Sequence, residues 1–174
     1  MKMKNTIPLL GGLAVLAAVI SFGLAFMEHP VGGDAGLLAR AKWEMRDGEF
    51  DPDGFRIAAK AEQGDYCLIW FFCGIEGSDQ YVPMEFEITG DDGYRFVSRR
   101  LPWSRTAEIY ELEWKDVYCF LIDNISCRYL YIDPRYRDET PRIIEVEERP
   151  FLYCYDDGDF FLYYFLDANE EELL

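Results

Sequence analysis

The stretch "DYCLIWFFC", Asp65 to Cys73, leaves no face for water. An extended strand sends successive side chains to opposite sides, so a strand that is apolar at every position must be covered on both. This segment therefore reads as a central strand buried on both sides. Around it the apolar period is two. In "FRIAAKAEQ", Phe55, Ile57, Ala59 and Ala61 alternate with Arg56, Lys60 and Glu62, with a short Ala-rich helix as the alternative. In "YVPMEFEIT", Val82, Met84, Phe86 and Ile88 alternate with Glu85, Glu87 and Thr89, and Pro83 suggests an edge strand or a bulge. Further runs follow at Tyr94–Arg99, Ala107–Trp114, Val117–Ile122, Cys127–Ile132, Arg142–Glu147, Phe151–Tyr155 and Phe160–Leu166. Ten short strands separated by turn signals predict a mainly β domain, an antiparallel sandwich or barrel.

Before the strands, "DAGLLARAKWEMRDG" predicts one short juxtamembrane helix. Asp34 can cap its start, Leu38, Ala41 and Met45 share a face, and Gly48 can end it. "HPVGGDAG" reads as a flexible linker. "DANEEELL" reads as a solvated end or a turn of helix capped by Asp167. The organisation expected is an N-terminal anchor or signal segment over 1–27, linker and helix over 28–48, the β domain over 49–166, and an acidic tail over 167–174.

Residues Ile7 to Met27 carry no charge over 21 positions, enough for a helix of about 30 Å, the hydrocarbon thickness. Lys2 and Lys4 precede the segment, and Glu28 and Asp34 follow it. The positive-inside rule then keeps the N-terminus in the cytoplasm and exports the rest. A cleaved signal peptide is the rival. The apolar stretch is longer than a signal peptide needs, and Gly23-Leu24-Ala25 is a mediocre cleavage site, so an uncleaved single-pass anchor is favoured. Either way the domain is expected outside the cytoplasm, held at the cell membrane or secreted.

The chain carries a net charge of −16, and setting aside the two leading lysines leaves −18 for the remainder. Such a surface repels nucleic acid and anionic headgroups and attracts cations or basic partners. It also keeps a domain that is 17% aromatic in solution, which is the plainer reason for it.

Three acidic loops invite a calcium reading: "FDPDGFRI", "GDDGYRFV" and "YDDGDFFLYYFLD". In the first, Asp51 and Asp53 take EF-hand positions 1 and 3 and Glu62 takes position 12, but glycine falls at 4 and the middle ligands would lie in a strand. Asp-Gly between alternating runs more simply makes hairpin turns, at Asp92-Gly93 and Asp157-Gly158. Phe151–Tyr155 is thus expected to return on itself as Phe160–Leu166. That strand is apolar on both faces and is expected to be central or covered by the helix. No metal or other cofactor is expected.

Cys67, Cys73, Cys119, Cys127 and Cys154 make an odd number without a C-x-x-C. An exported domain can hold up to two disulfides among them, while small buried hydrophobes are the default reading. Cys67 and Cys73 lie about 20 Å apart in an extended strand and cannot pair.

Catalytic signals are scarce. The only histidine, His29, lies beside the apolar segment, so a histidine-based triad in the domain has no base. Glu85/Glu87 and Glu111/Glu113 fall at the spacing of a solvated strand face. One basic cluster stands out, "RFVSRRLPWSR", with Arg95, Arg99, Arg100 and Arg105 around Pro102 and Trp103. Arg and Trp are favoured at binding hot spots, so Arg99, Arg100 and Trp103 are the candidate binding residues. The competing expectation is that the arginines pair with nearby carboxylates and Trp103 packs into the core. The function expected is a non-enzymatic binding or accessory module meeting a protein or envelope component. A carboxylate-dependent hydrolase and an acidic inhibitor or immunity-type protein for a basic partner are the alternatives.

Overall fold

The computed structural model describes residues 29–48, 50–75, 80–90, 93–134, 140–155 and 162–173. Outside them lie the apolar segment 7–27, Asp92, and the Asp157-Gly158 loop with Phe160 and Phe161. Among the described residues the chain is mainly β and antiparallel, with one short helix. No helix among the described residues is long and apolar enough to cross a membrane.

In chain order the elements are β1 (Val31–Gly32), α1 (Gly33–Glu44), β2 (Arg56–Gln63), β3 (Tyr66–Phe72), β4 (Tyr81–Ile88), β5 (Gly93–Arg99), β6 (Trp103–Thr106), β7 (Ile109–Trp114), β8 (Val117–Ile122), β9 (Tyr129–Asp133), β10 (Arg142–Glu145), β11 (Phe151–Tyr155) and β12 (Leu162–Leu166). They form three sheets: a first sheet ordered β1-β5-β4-β3-β2, a middle sheet β11-β8-β7-β6, and a third sheet β10-β9-β12.

Three apolar clusters stack these elements. Leu37, Ala41 and Met45 of the helix region meet Cys67, Ile69, Phe71, Val82, Met84 and Phe86 on one face of the first sheet. The other face offers Leu68, Trp70 and Tyr81 to Tyr110, Leu112, Trp114, Cys119 and Leu121 of the middle sheet. The far face of the middle sheet, through Ile109, Phe120 and Ile122, meets Leu130, Ile132 and Phe165 of the third. Strand β3 is central, and Cys67 to Phe71 are fully buried because the helix covers one side and the middle sheet the other. Each of these side chains contributes about 1.5–3 kcal/mol of transfer free energy.

Several expectations change. The helix exposes no side-chain cap. Gly32 is its N-cap, and Asp34 in the first turn pairs with Lys60 instead. The expected linker is pinned, since Val31 pairs with Tyr94 and Gly32 with Gly93 at the edge of the first sheet. In β2 the alternation breaks at a bulge between Ile57 and Ala59. Phe55 and Ile57 therefore face the helix side, while Ala59 and Ala61 face the middle sheet. Pro83 lies in an interior strand, not an edge. Its carbonyl accepts from Arg100 N–H at 2.9 Å, so its missing N–H points to where β5 ends, and no bond to β3 is lost. The bulge expected of this region is present in the β4–β5 pairing, opposite Glu85 and Phe86.

The hairpin of Phe151–Tyr155 with the following strand does not form. β11 pairs with β8 in the middle sheet, and β12 pairs with β9 in the third. Nor is β12 central: it is an edge strand, and the tail closes over it. Asp167 carboxylate accepts from the N–H groups of Asn169 and Glu171, Glu172 bridges Leu166, and Leu173 N–H bonds Phe165 carbonyl at 2.8 Å. The tail is thus a capped turn running back along the sheet, not a helix. In "FDPDGF" the reading as a turn stands: Asp53 N–H bonds Asp51 Oδ1 at 3.0 Å. Gly54 lies against Gly74, whose φ is +74 and where a Cβ would meet Asp51 Cβ at 2.8 Å.

Candidate functional site

The "RRLPW" stretch is the connection from the first sheet to the middle one, and the structure separates its three candidates. Paired residues of antiparallel strands share a face. Arg99 pairs with Met84 and so lies on the helix side of the first sheet, exposed. Arg100 is next in sequence and turns to the opposite side. There its Nε donates to Glu85 Oε2 at 3.1 Å, and its NH2 donates to the same oxygen. Trp103 pairs with Glu111 on edge strand β6, on the face of the middle sheet that looks to the third. It is 60% exposed, and Leu101 beside it is 76% exposed. The expected inward packing of Trp103 is therefore wrong. β6 is the last strand of its sheet, and nothing in the third sheet reaches across it among the described residues. The side chain of Arg105 lies outside the described residues.

Of the four glutamates that pattern alone assigned to a solvated face, Glu113 is exposed and Glu87 half-buried, but Glu85 and Glu111 are the buried carboxylates among the described residues. Glu85 is 2% exposed and Glu111 1%. Glu85 shares its face with Trp70 and Leu68, beneath the middle sheet. Arg100 and Ser98 reach it from β5 and its extension. Lys115 reaches it from the two-residue turn between β7 and β8, with Nζ 3.4 Å from Oε1. Lys115 adopts φ 56 there, and its ammonium also sits 3.2 Å from the Tyr66 ring centroid. Burial pushes the Glu85 pKa up, but the hydrogen bonds and charge of Arg100, with Lys115 behind, bring it below the ordinary value. Glu85 is thus held as a carboxylate, not poised as an acid.

Glu111 lies on the other face of the middle sheet. Its Oε2 accepts from Tyr118 OH at 3.0 Å and from Tyr163 OH of β12, tying the middle and third sheets together. Burial and then the bond to Glu111 push the Tyr163 pKa upward. The two buried carboxylates therefore face opposite sides of one sheet and do not converge on a common space. Glycosidase-type chemistry needs two converging carboxyls, and this pair does not converge. Among the described residues no group of three or more His, Cys, Asp or Glu is placed to hold a metal ion.

A signal for Glu85 was present in the sequence. A neighbouring strand that is apolar on both faces implies a covered sheet on both sides, so Glu85 in the adjacent strand had no water to face. The partners were not readable, because Lys115 and Tyr163 come from other sheets. No family model matches the chain, and no curated protein or solved structure is significantly similar to it.

Proposed function

We propose that the chain is a membrane-anchored, extracytoplasmic binding module whose docking ridge is Leu101 and Trp103. The observation that carries this is the exposure of Trp103. Trp70 and Trp114 are buried, yet the tryptophan on the open edge of the middle sheet is held out at 60% exposure, beside an even more exposed leucine. Amphipathic aromatic anchors at such positions dominate protein interfaces. Arg99 is exposed on the helix side of the first sheet, a different layer from Trp103, and is not part of the ridge. The partner best suited is a protein presenting an apolar pocket that takes the indole ring. The opposed facing of Glu85 and Glu111 favours binding over a carboxylate-dependent hydrolase. The apolar segment 7–27, with lysines before it and acids after it, supports anchoring with the N-terminus in the cytoplasm.

The test is a photo-crosslinking residue at Leu101 in native membranes, followed by mass spectrometry. A discrete protein adduct that disappears in Trp103→Ala supports the reading. An adduct indifferent to Trp103→Ala, or none while a reporter fused after Leu174 confirms export, overturns it.

A further inference from the structure

Cys119 and Cys154 face each other across β8 and β11 in direct register. Their sulfurs are 3.1 Å apart, both as thiols. The distance to a disulfide bond length, about 2.05 Å, is about 1 Å, and directly opposed strand residues have the Cα separation that a disulfide spans. We propose that this pair is a redox site: a dithiol that closes to a disulfide and staples the edge strand β11 to the centre of the middle sheet.

The other three cysteines do not compete. Cys67 and Cys73 face the helix-side cluster, and Cys127 sits between the middle and third sheets, whereas Cys119 and Cys154 share the cluster between the first and middle sheets. Cys67 lies near the start of the extended β3 and Cys73 directly follows its end, so the strand holds them apart. Burial pushes both Cys67 and Cys127 up to about 11, so neither supplies thiolate at neutral pH. Within the reacting pair the roles are unequal. Cys119 is fully buried, and the hydrogen bond to Cys154, followed by burial, raises its pKa. Cys154 is half-buried, and the hydrogen bond from Cys119 lowers its pKa. Cys154 is therefore the attacking thiolate, stabilised by the Cys119 S–H.

The reaction is exchange with a small disulfide such as glutathione disulfide. Cys154 gives up its proton and attacks one sulfur, releasing one glutathione thiolate. Cys119 then loses its proton and displaces the second. Two protein thiols are oxidised by two electrons, and one glutathione disulfide is reduced to two thiols. The closed ring spans 119–154 and encloses β9 and β10 of the third sheet, so the staple constrains two sheets at once.

The test uses the full chain equilibrated in reduced and oxidised glutathione, trapped by alkylation, digested and mapped by mass spectrometry. The expected result is one intramolecular link, Cys119 to Cys154, with the other three cysteines alkylated only after unfolding. Oxidation is expected to raise the melting temperature by roughly 5–10 °C, and Cys154→Ser to abolish that rise. A different pairing, both thiols remaining free in the most oxidising buffer, or a persisting rise in Cys154→Ser would overturn the proposal. The mapping on the unmodified chain stands even if the variant does not fold.

Discussion

Replacing Arg100 by alanine should strip the buried Glu85 carboxylate of its main partner. Glu85 would keep Lys115 at 3.4 Å and Ser98 at 3.5 Å, under a sheet that excludes water from it. Breaking a fully buried ion pair costs about 3–5 kcal/mol, because the remaining charge is left uncompensated. The Arg100 side chain is 40% exposed, and a second cation remains, so screening reduces the figure to about 1–3 kcal/mol. Arg99→Ala, one residue away but on the opposite face, should stay within about 0.5 kcal/mol. Urea unfolding followed by tryptophan fluorescence separates the two, since Trp70 and Trp114 are buried. The gap should also depend on pH. The wild-type Glu85 pKa is depressed, so its contribution is present above the ordinary glutamate value of about 4.3 and is lost as pH falls through the folded value. In Arg100→Ala burial acts with less opposition and the carboxyl protonates at a higher pH, relieving the unpaired charge. The difference between variant and wild type should therefore be largest near pH 7 and shrink towards pH 3.5. Equal unfolding curves for Arg100→Ala and Arg99→Ala at pH 7, or a gap that does not narrow in acid, would refute this account of Glu85.

Trp103→Ala should leave stability within about 0.5 kcal/mol, measured by thermal melting, because the ring makes little buried contact; a loss of 3–5 kcal/mol would return it to the core. Tyr163→Phe should cost about 1–3 kcal/mol by removing a donor from buried Glu111. The same group, with Tyr81, sets the alkaline limb. Burial, and then bonds to Glu111 and Asp123 respectively, raise both phenol pKa values. Their contribution is intact below the ordinary tyrosine value of about 10 and declines as pH rises above it, and Tyr163→Phe should flatten that decline in urea titrations. Gly74→Ala should cost about 2 kcal/mol or more by the same assay, since φ +74 is left-handed and the new methyl would meet Asp51 and Gly54.

Local pattern alone was enough for ten of the twelve strands among the described residues; β1 fell in the expected linker and β6 in the basic cluster. Val117–Ile122 and Phe151–Tyr155 could be bounded from sequence because period-two apolar runs and turn residues act within a few positions of themselves. The same is true of the central place of β3, whose unbroken apolar run admits only one kind of surroundings. What sequence did not reveal depends on contacts between distant segments. β11 and β12 looked like a hairpin because they are adjacent in the chain, but their hydrogen bonds go to β8 and β9. The bulge at Ala58 reverses the faces of β2 by one inserted residue, a change that leaves composition untouched. "RRLPW" looked like one basic-aromatic patch, yet successive residues of an extended connection between two sheets point to different layers. Glu85 and Glu111 sat in alternating runs that, strand by strand, look like solvated ones, and only the doubly apolar run of the neighbouring β3 pointed to the burial of Glu85. Their burial was decided by Lys115, Arg100 and Tyr163, side chains that only the stacking of three sheets brings to them.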